Sequence, residues 1–156
     1  MYLFAGPRAL SSSDRLKHAA AQATYVPMTS RPALTPGPDH PITIERNPSR
    51  VQVRSANTVI ADTIDALTLR EASYPPVQYI PRSDVDMAQL RRSDHATYCP
   101  YKGNAAYFDI VALGEQGKNA VWTYEQPYPA VSAIAEHLAF YPNIVSVTEL
   151  TDAVSE

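Results

Sequence analysis

A chain of 156 residues that is 45% hydrophobic and 19% charged has the composition of a globular protein and the length of one domain with a real core. A net charge of -3 argues against the basic face that nucleic acid calls for, and a single cysteine excludes an internal disulfide framework and a multi-thiolate zinc site. The apolar run "YLFAG" lacks the basic flank of a signal peptide and the length of a membrane span, so the expected setting is cytoplasmic, with neither nucleic acid nor membrane as a partner.

Charge divides the chain. Residues 1–38 carry four basic side chains against one acidic, hence +3, and residues 39–156 carry nine basic against fifteen acidic, hence -6. The first segment also holds five of the fourteen prolines, which prevent a continuous helix and remove sheet donors. It reads as a basic, proline-rich arm (1–38) ahead of one β-rich domain (39–156). Within the arm, "SSSDRLKHAAAQATY" suits a short helix capped by a serine or Asp14, too short to be stable without docking.

Past the arm the hydrophobic period becomes two. "ITIER" from Ile42, "VQVRS" from Val51, "TVIADT" from Thr58, "ALTLRE" from Ala66 and "PVQYI" from Pro76 read as short antiparallel strands, with "NPSR" (47–50) as a turn. "DVDMAQLRRS" (84–93) breaks the alternation and suits one or two helical turns capped by Asp84 or Asp86. "AAYFDIVAL" (105–113) and "NAVWTYEQ" (119–126) read as a hairpin joined by "GEQGK". "PAVSAIAEHLAFYP" (129–142) reads as a helix with Pro129 in its first turn, Val131, Ile134 and Leu138 on one face, and Pro142 ending it. "NIVSVTEL" adds a last strand. The expected fold is mainly β (α+β), two packed antiparallel sheets with two or three short helices.

The run "IADTIDALTLREASYPPVQYIPRSDVDMAQLRRSDHATYCPYKGNAAYFDI" followed by "NAVWTYEQPYPAVSAIAEHLAFYP" resembles the bacterial and fungal family called domain of unknown function 427, which also carries a nucleotidyltransferase-like label. The signs are an arginine and a tyrosine ahead of a proline, then "DVDM", "HATYCPYKG" and "WTYEQP", spread over about residues 39–150. The resemblance implies a β-tent-like fold of two leaning sheets, akin to domains that hold small ligands between sheets. It implies no activity.

Candidate chemistry centres on "SDHATYCPYKG". His95 lies four residues before Cys99 and Lys102 three after it, so on one helical turn the imidazole and thiol share a side. An ammonium and an imidazole near a thiol favour the nucleophilic thiolate, whereas an unpaired cysteine is commonly a small buried hydrophobe. His95 is the proton carrier of choice because its ordinary pKa lies near neutrality. Two ligands do not make a zinc site, and "DVDM" lacks the glycine-serine turn that accompanies a nucleotidyltransferase metal pair, so no metal is expected and no cofactor is named.

Seven of the ten tyrosines fall between residues 74 and 128, together with Trp122. Alternation on "VWTYEQ" places Trp122, Tyr124 and Gln126 opposite Val121 and Thr123, and on "TLRE" it places Leu69 and Glu71 opposite Thr68 and Arg70. Aromatic walls with a few placed polar groups suit a small-molecule pocket, with Arg70, Tyr74, Lys102, Trp122 and Tyr124 holding an anionic or carbonyl ligand and His95 and Cys99 supplying any chemistry. The alternative is a noncatalytic module that forms a homodimer through the aromatic face, clasped by the basic arm.

Overall fold

The computed structural model describes residues 32–151. The arm helix expected around residues 11–25 lies outside the described residues. Ten strands run in chain order: β1 Ile42–Arg46, β2 Arg50–Ser55, β3 Thr58–Thr63, β4 Leu67–Glu71, β5 Val77–Pro81, β6 Leu90–Cys99, β7 Gly103–Ile110, β8 Val121–Thr123, β9 His137–Phe140 and β10 Ser146–Leu150. They form a seven-stranded sheet ordered β1-β4-β5-β9-β8-β7-β6 and a three-stranded sheet ordered β10-β2-β3. The chain is mainly β with two antiparallel sheets, as the period-two segments require. No helix among the described residues is long and apolar enough to cross a membrane.

Alternation on the strands creates two cores. Val51, Val53 and Ile60 of the small sheet pack against Ile80, Phe108, Ile110, Val121, Leu138 and Phe140 of the large one. The opposite face of the large sheet carries Leu69, Tyr79, Cys99, Tyr107, Trp122 and Ala139, covered by Val131 and Ile134. Strands buried on both faces, such as β8, lose the clean polar alternation of a half-exposed strand.

Two segments read as helical begin as 3-10 turns and continue as strands. In 84–93, short 3-10 turns occupy Arg82–Asp84 and Met87–Gln89, and β6 begins at Leu90. Asp86 caps the second turn by accepting from the Ala88 amide, while Asp84 accepts from the Thr63 hydroxyl at 2.7 Å. His95 and Cys99 therefore sit on a strand rather than a helical turn; four residues is an even step, so a regular strand also gives them one face. A register shift between Arg92 and Ala96 interrupts the pairing with β7.

In 129–142, a 3-10 segment covers Pro129–Ile134 and the chain becomes β9 at His137. Glu136 adopts φ 59°, outside any right-handed helix. The slot between β5 and β8 accounts for this, since pairing Leu138 with Ile80 and Thr123 supplies two ladders that local helix propensity cannot match. The connection between β7 and β8 is 3-10 over Val111–Gly117 instead of a tight turn, and the two strands still pair, Tyr107 opposite Trp122.

The join between β5 and β9 shapes everything that follows. They pair only at Ile80↔Leu138 and Pro81↔His137 and then part. The break comes directly after Ile80↔Leu138, before the register would bring Pro76 opposite Pro142, where neither residue has an N–H with which to resume the ladder. The outer ribbon β1-β4-β5 bends over the Trp122 face. In a flat sheet β4 and β7 would stand four strand spacings apart, about 19 Å. Instead Glu71, at the end of β4, forms an ion pair with Lys102 of the β6–β7 turn.

Candidate functional site

The bend encloses most of the side chains that the sequence marks for chemistry. Lys102 and Glu71 are each 2% exposed and bonded to one another, and the second Glu71 oxygen lies 2.7 Å from His40 Nε2. The His40 ring stacks on Tyr101 with centroids 3.9 Å apart and planes 5° from parallel. Lys102 is aimed inward by the turn that ends in Gly103, whose φ of +106° is a backbone state that a side chain resists. A charge in an apolar interior persists only when paired, so Glu71 and Lys102 hold each other there.

Around this pair lies a phenol-rich interior. The Trp122 indole donates to the Tyr79 hydroxyl at 3.2 Å, and Thr97 and Tyr107 share a hydroxyl bond of 2.9 Å. Tyr124 lies under the Lys102 ammonium, 5.8 Å from ring centre to nitrogen, and its buried hydroxyl has no hydrogen-bond partner among the described residues. Burial pushes the Tyr79 and Tyr124 phenols above their ordinary range, because a phenolate there would lose its water. Cys99 is 1% exposed, and His95 is half-buried against the Tyr107 ring at 4.5 Å.

The other predicted ligand residues are elsewhere. Arg70 faces away from Lys102, as alternation on β4 demands, and lies 3.9 Å from Glu45 at the surface. Tyr74 is exposed in the turn after β4, its amide bonded to the Glu71 carbonyl. The guanidinium, indole, imidazole and ammonium groups therefore do not share one hollow: the arginine stands outside, and the ammonium and imidazole belong to the enclosed interior.

Trp122 alone of the predicted set lines the cleft at the β5–β9 fork. Where β5 and β9 part, a cleft of about 320 Å³ opens, lined by Pro76, Val77 and Gln78 on one side, Phe140 and Pro142 on the other, and Trp122. Val147 and Glu149 of β10 complete it, so the small sheet forms one wall. A second hollow of about 210 Å³ adjoins it through Pro76, Gln78 and Glu149 and extends to Arg46, Asn47 and Arg70.

A short network sets the polar rim. The Ser49 amide donates to Asn47 Oδ1 at 2.8 Å, which leaves the Asn47 side-chain nitrogen as a donor. That nitrogen donates to Gln78 Oε1 at 3.0 Å and to Glu149 Oε1. The Thr68 hydroxyl adds a second donor to Gln78 Oε1 at 2.9 Å. The Gln78 carbonyl is thus taken twice, and its NH2 group faces away from these partners. Asn47, Gln78, Phe140 and Glu149 were not singled out by sequence reasoning, nor was Glu71 as a charged partner. The readable signal was Glu71 in the inward register with Leu69; nothing in the sequence alone joins Asn47 to Glu149 across 102 positions.

Among the described residues no three His, Cys, Asp or Glu side chains gather as a metal set. A family model described as a domain of unknown function (DUF427) matches residues 43–151. No curated protein matches the chain.

Proposed function

The chain belongs to the DUF427 family, whose description assigns no reaction, and from the cleft at the β5–β9 fork we propose that it is a small-molecule-binding domain for a flat ligand bearing a carbonyl group. The observation that carries the reading is the pre-set Gln78 amide beside aromatic and proline walls. An apolar concavity of about 300 Å³ or more with a few fixed polar groups is the usual form of a ligand site. Pro75, Pro76 and Pro142 offer the apolar surface, backed by the buried Trp122 and Phe140 rings, and the Gln78 NH2 supplies a donor held in place by the bonds to its carbonyl, which lowers an ordering cost on binding. Arg70, in the adjoining hollow, is placed for a polar extension of the ligand rather than for its body.

This differs from a site built on His95, Cys99, Lys102 and Tyr124. Cys99, Lys102 and Tyr124 are enclosed and His95 is half-buried, and the Glu71–Lys102 pair supports a scaffold role that holds the bent ribbon over the Trp122 face. Self-association through the aromatic face gains no support from residues such as Trp122 and Tyr124, which are fully buried within the chain. A cytoplasmic setting is part of the proposal, in keeping with a single cysteine that stays free and buried.

Trp122 is the only tryptophan, so its indole N–H gives one signal in a nitrogen-edited NMR spectrum. Titrating the full chain with small planar carbonyl compounds, coumarin and 1-indanone among them, should shift that signal saturably at millimolar concentrations or below. Val147→Phe, which fills the cleft from β10, should abolish the shift while the rest of the spectrum stays folded. An unmoved indole signal across the panel would remove the proposal.

A further inference from the structure

We infer, resting on the cleft reading above, that the ligand is peptide-like: a short extended chain whose amides fill the rung missing between β5 and β9. In an antiparallel pair, every second residue turns both its N–H and its C=O toward the neighbouring strand. The Arg82 amide donates to the Glu136 carbonyl at 2.9 Å, so the hydrogen-bonded pairs of β5 with β9 step by two from that point. Ile80 with Leu138 is the next such pair, and Gln78 with Phe140 would be the one after, where pairing has stopped.

Contacts on the other side of β9 give the same direction. The Tyr141 amide donates to the Ala120 carbonyl at 3.1 Å, just before β8, so Tyr141 and Ala139 turn toward β8 and Phe140 turns into the fork. Gln78 and Phe140 both line the cleft, and each brings one N–H and one C=O to it. Phe140 is 4% exposed, and a main-chain group so placed needs a hydrogen-bond partner. The strand that would supply one has parted from it.

A flat ring with one carbonyl meets a single N–H and leaves both main-chain oxygens without a donor. An extended peptide turns successive residues to opposite sides, so two residues in a row meet both strands. One offers its N–H and C=O to Gln78, and the other offers the same pair to Phe140. This is strand addition, made between two parted strands rather than at an outer edge. Every peptide unit is flat and carries a carbonyl, as the cleft reading requires. Pro76 and Pro142, one rung further on, have no N–H, so the complement is about two residues long. The two ligand side chains fall on opposite faces of the sheet, one toward Trp122 and the next toward Val147, so both are apolar.

The test uses the full chain with acetyl-Val-Ala methylamide and with its ester analogue, in which an oxygen replaces the Ala N–H. The readings are the Trp122 indole signal, affinity by calorimetry, and hydrogen exchange of single main-chain amides. In the free chain the Gln78 and Phe140 amides should exchange at least about tenfold faster than those of Ile80 and Leu138, which lie in the ladder. The peptide should slow both and shift the indole saturably, and the ester should bind about tenfold more weakly. Free-chain amides at Gln78 and Phe140 as protected as those of Ile80 and Leu138 would overturn the inference, as would equal affinities for peptide and ester. A peptide that leaves the indole unmoved while coumarin shifts it would also overturn it and leave the cleft reading standing. If neither moves the indole, both fall.

Discussion

The two faces of the large sheet around Trp122 hold opposite kinds of chemistry. The enclosed face is crowded with reactive residue types: a carboxylate, an ammonium, an imidazole, a thiol and several phenols. Most have their requirements met within the chain, Lys102 by Glu71, Tyr79 by Trp122, Tyr107 by Thr97. The cleft at the fork has few such residues, yet it is open and lined by prolines, Gln78 and Glu149. Accessible concavity distinguishes a binding site from a polar core better than residue type does. Both regions come from one event, the parting of β5 from β9, which folds the outer ribbon over one face and opens a gap at the other.

The comparison breaks most visibly if the enclosed face proves accessible. Cys99 should react with a small thiol reagent only through unfolding, so native labelling should be slower than in denaturant by about a thousandfold or more. Labelling at comparable rates would show that the interior is open. Next in size is the Glu71–Lys102 pair. Glu71→Leu should cost about 3–5 kcal/mol in urea unfolding, because it strands a buried ammonium, and adding Lys102→Met should recover most of that loss. A loss under about 1 kcal/mol for the single variant would mean that the pair is hydrated and the bend is not closed by it.

A smaller effect comes from pH. The Tyr79 and Tyr124 phenols ionise less readily folded than unfolded, so the stability they contribute is intact below about pH 10, where free phenols titrate. It is lost as pH rises past that point toward the folded values. Unfolding midpoints should therefore fall above about pH 10, and Tyr79→Phe should flatten that fall while costing about 1–3 kcal/mol at neutral pH for the unpaired Trp122 indole. A midpoint indifferent to pH up to 11 would contradict the enclosure of these rings.

The least effect is expected at the surface. Arg92 bonds both oxygens of Glu125, which holds that carboxyl below its ordinary range, but both side chains are well exposed. Arg92→Ala should change stability by less than about 1 kcal/mol and leave the ligand-induced shift of the Trp122 signal as large as in the native chain.

Much of the strand map was legible because β-branched alternation is local: β1 to β5 begin within one residue of the runs that start at Ile42, Val51, Thr58, Ala66 and Pro76. The segments misread were those whose local propensity opposes their pairing. Residues 129–142 are alanine-rich and apolar at helical spacing, and residues 84–93 are polar and charged without a clean period. The later part of each became a strand because a vacant ladder lay beside it. For the site, alternation correctly set Trp122 and Tyr124 opposite Val121, and Glu71 opposite Arg70, yet it could not say which face would close.

By itself the sequence determined the fold class and which residues share a strand face, Leu69 with Glu71 and Trp122 with Tyr124, since each depends on a residue and its immediate neighbours. Only the tertiary structure decided that Glu71 meets Lys102, and that Asn47 joins Gln78 to Glu149. Those encounters depend on how the large sheet bends and where the small sheet leans, which is set by long-range packing rather than by any local run of side chains.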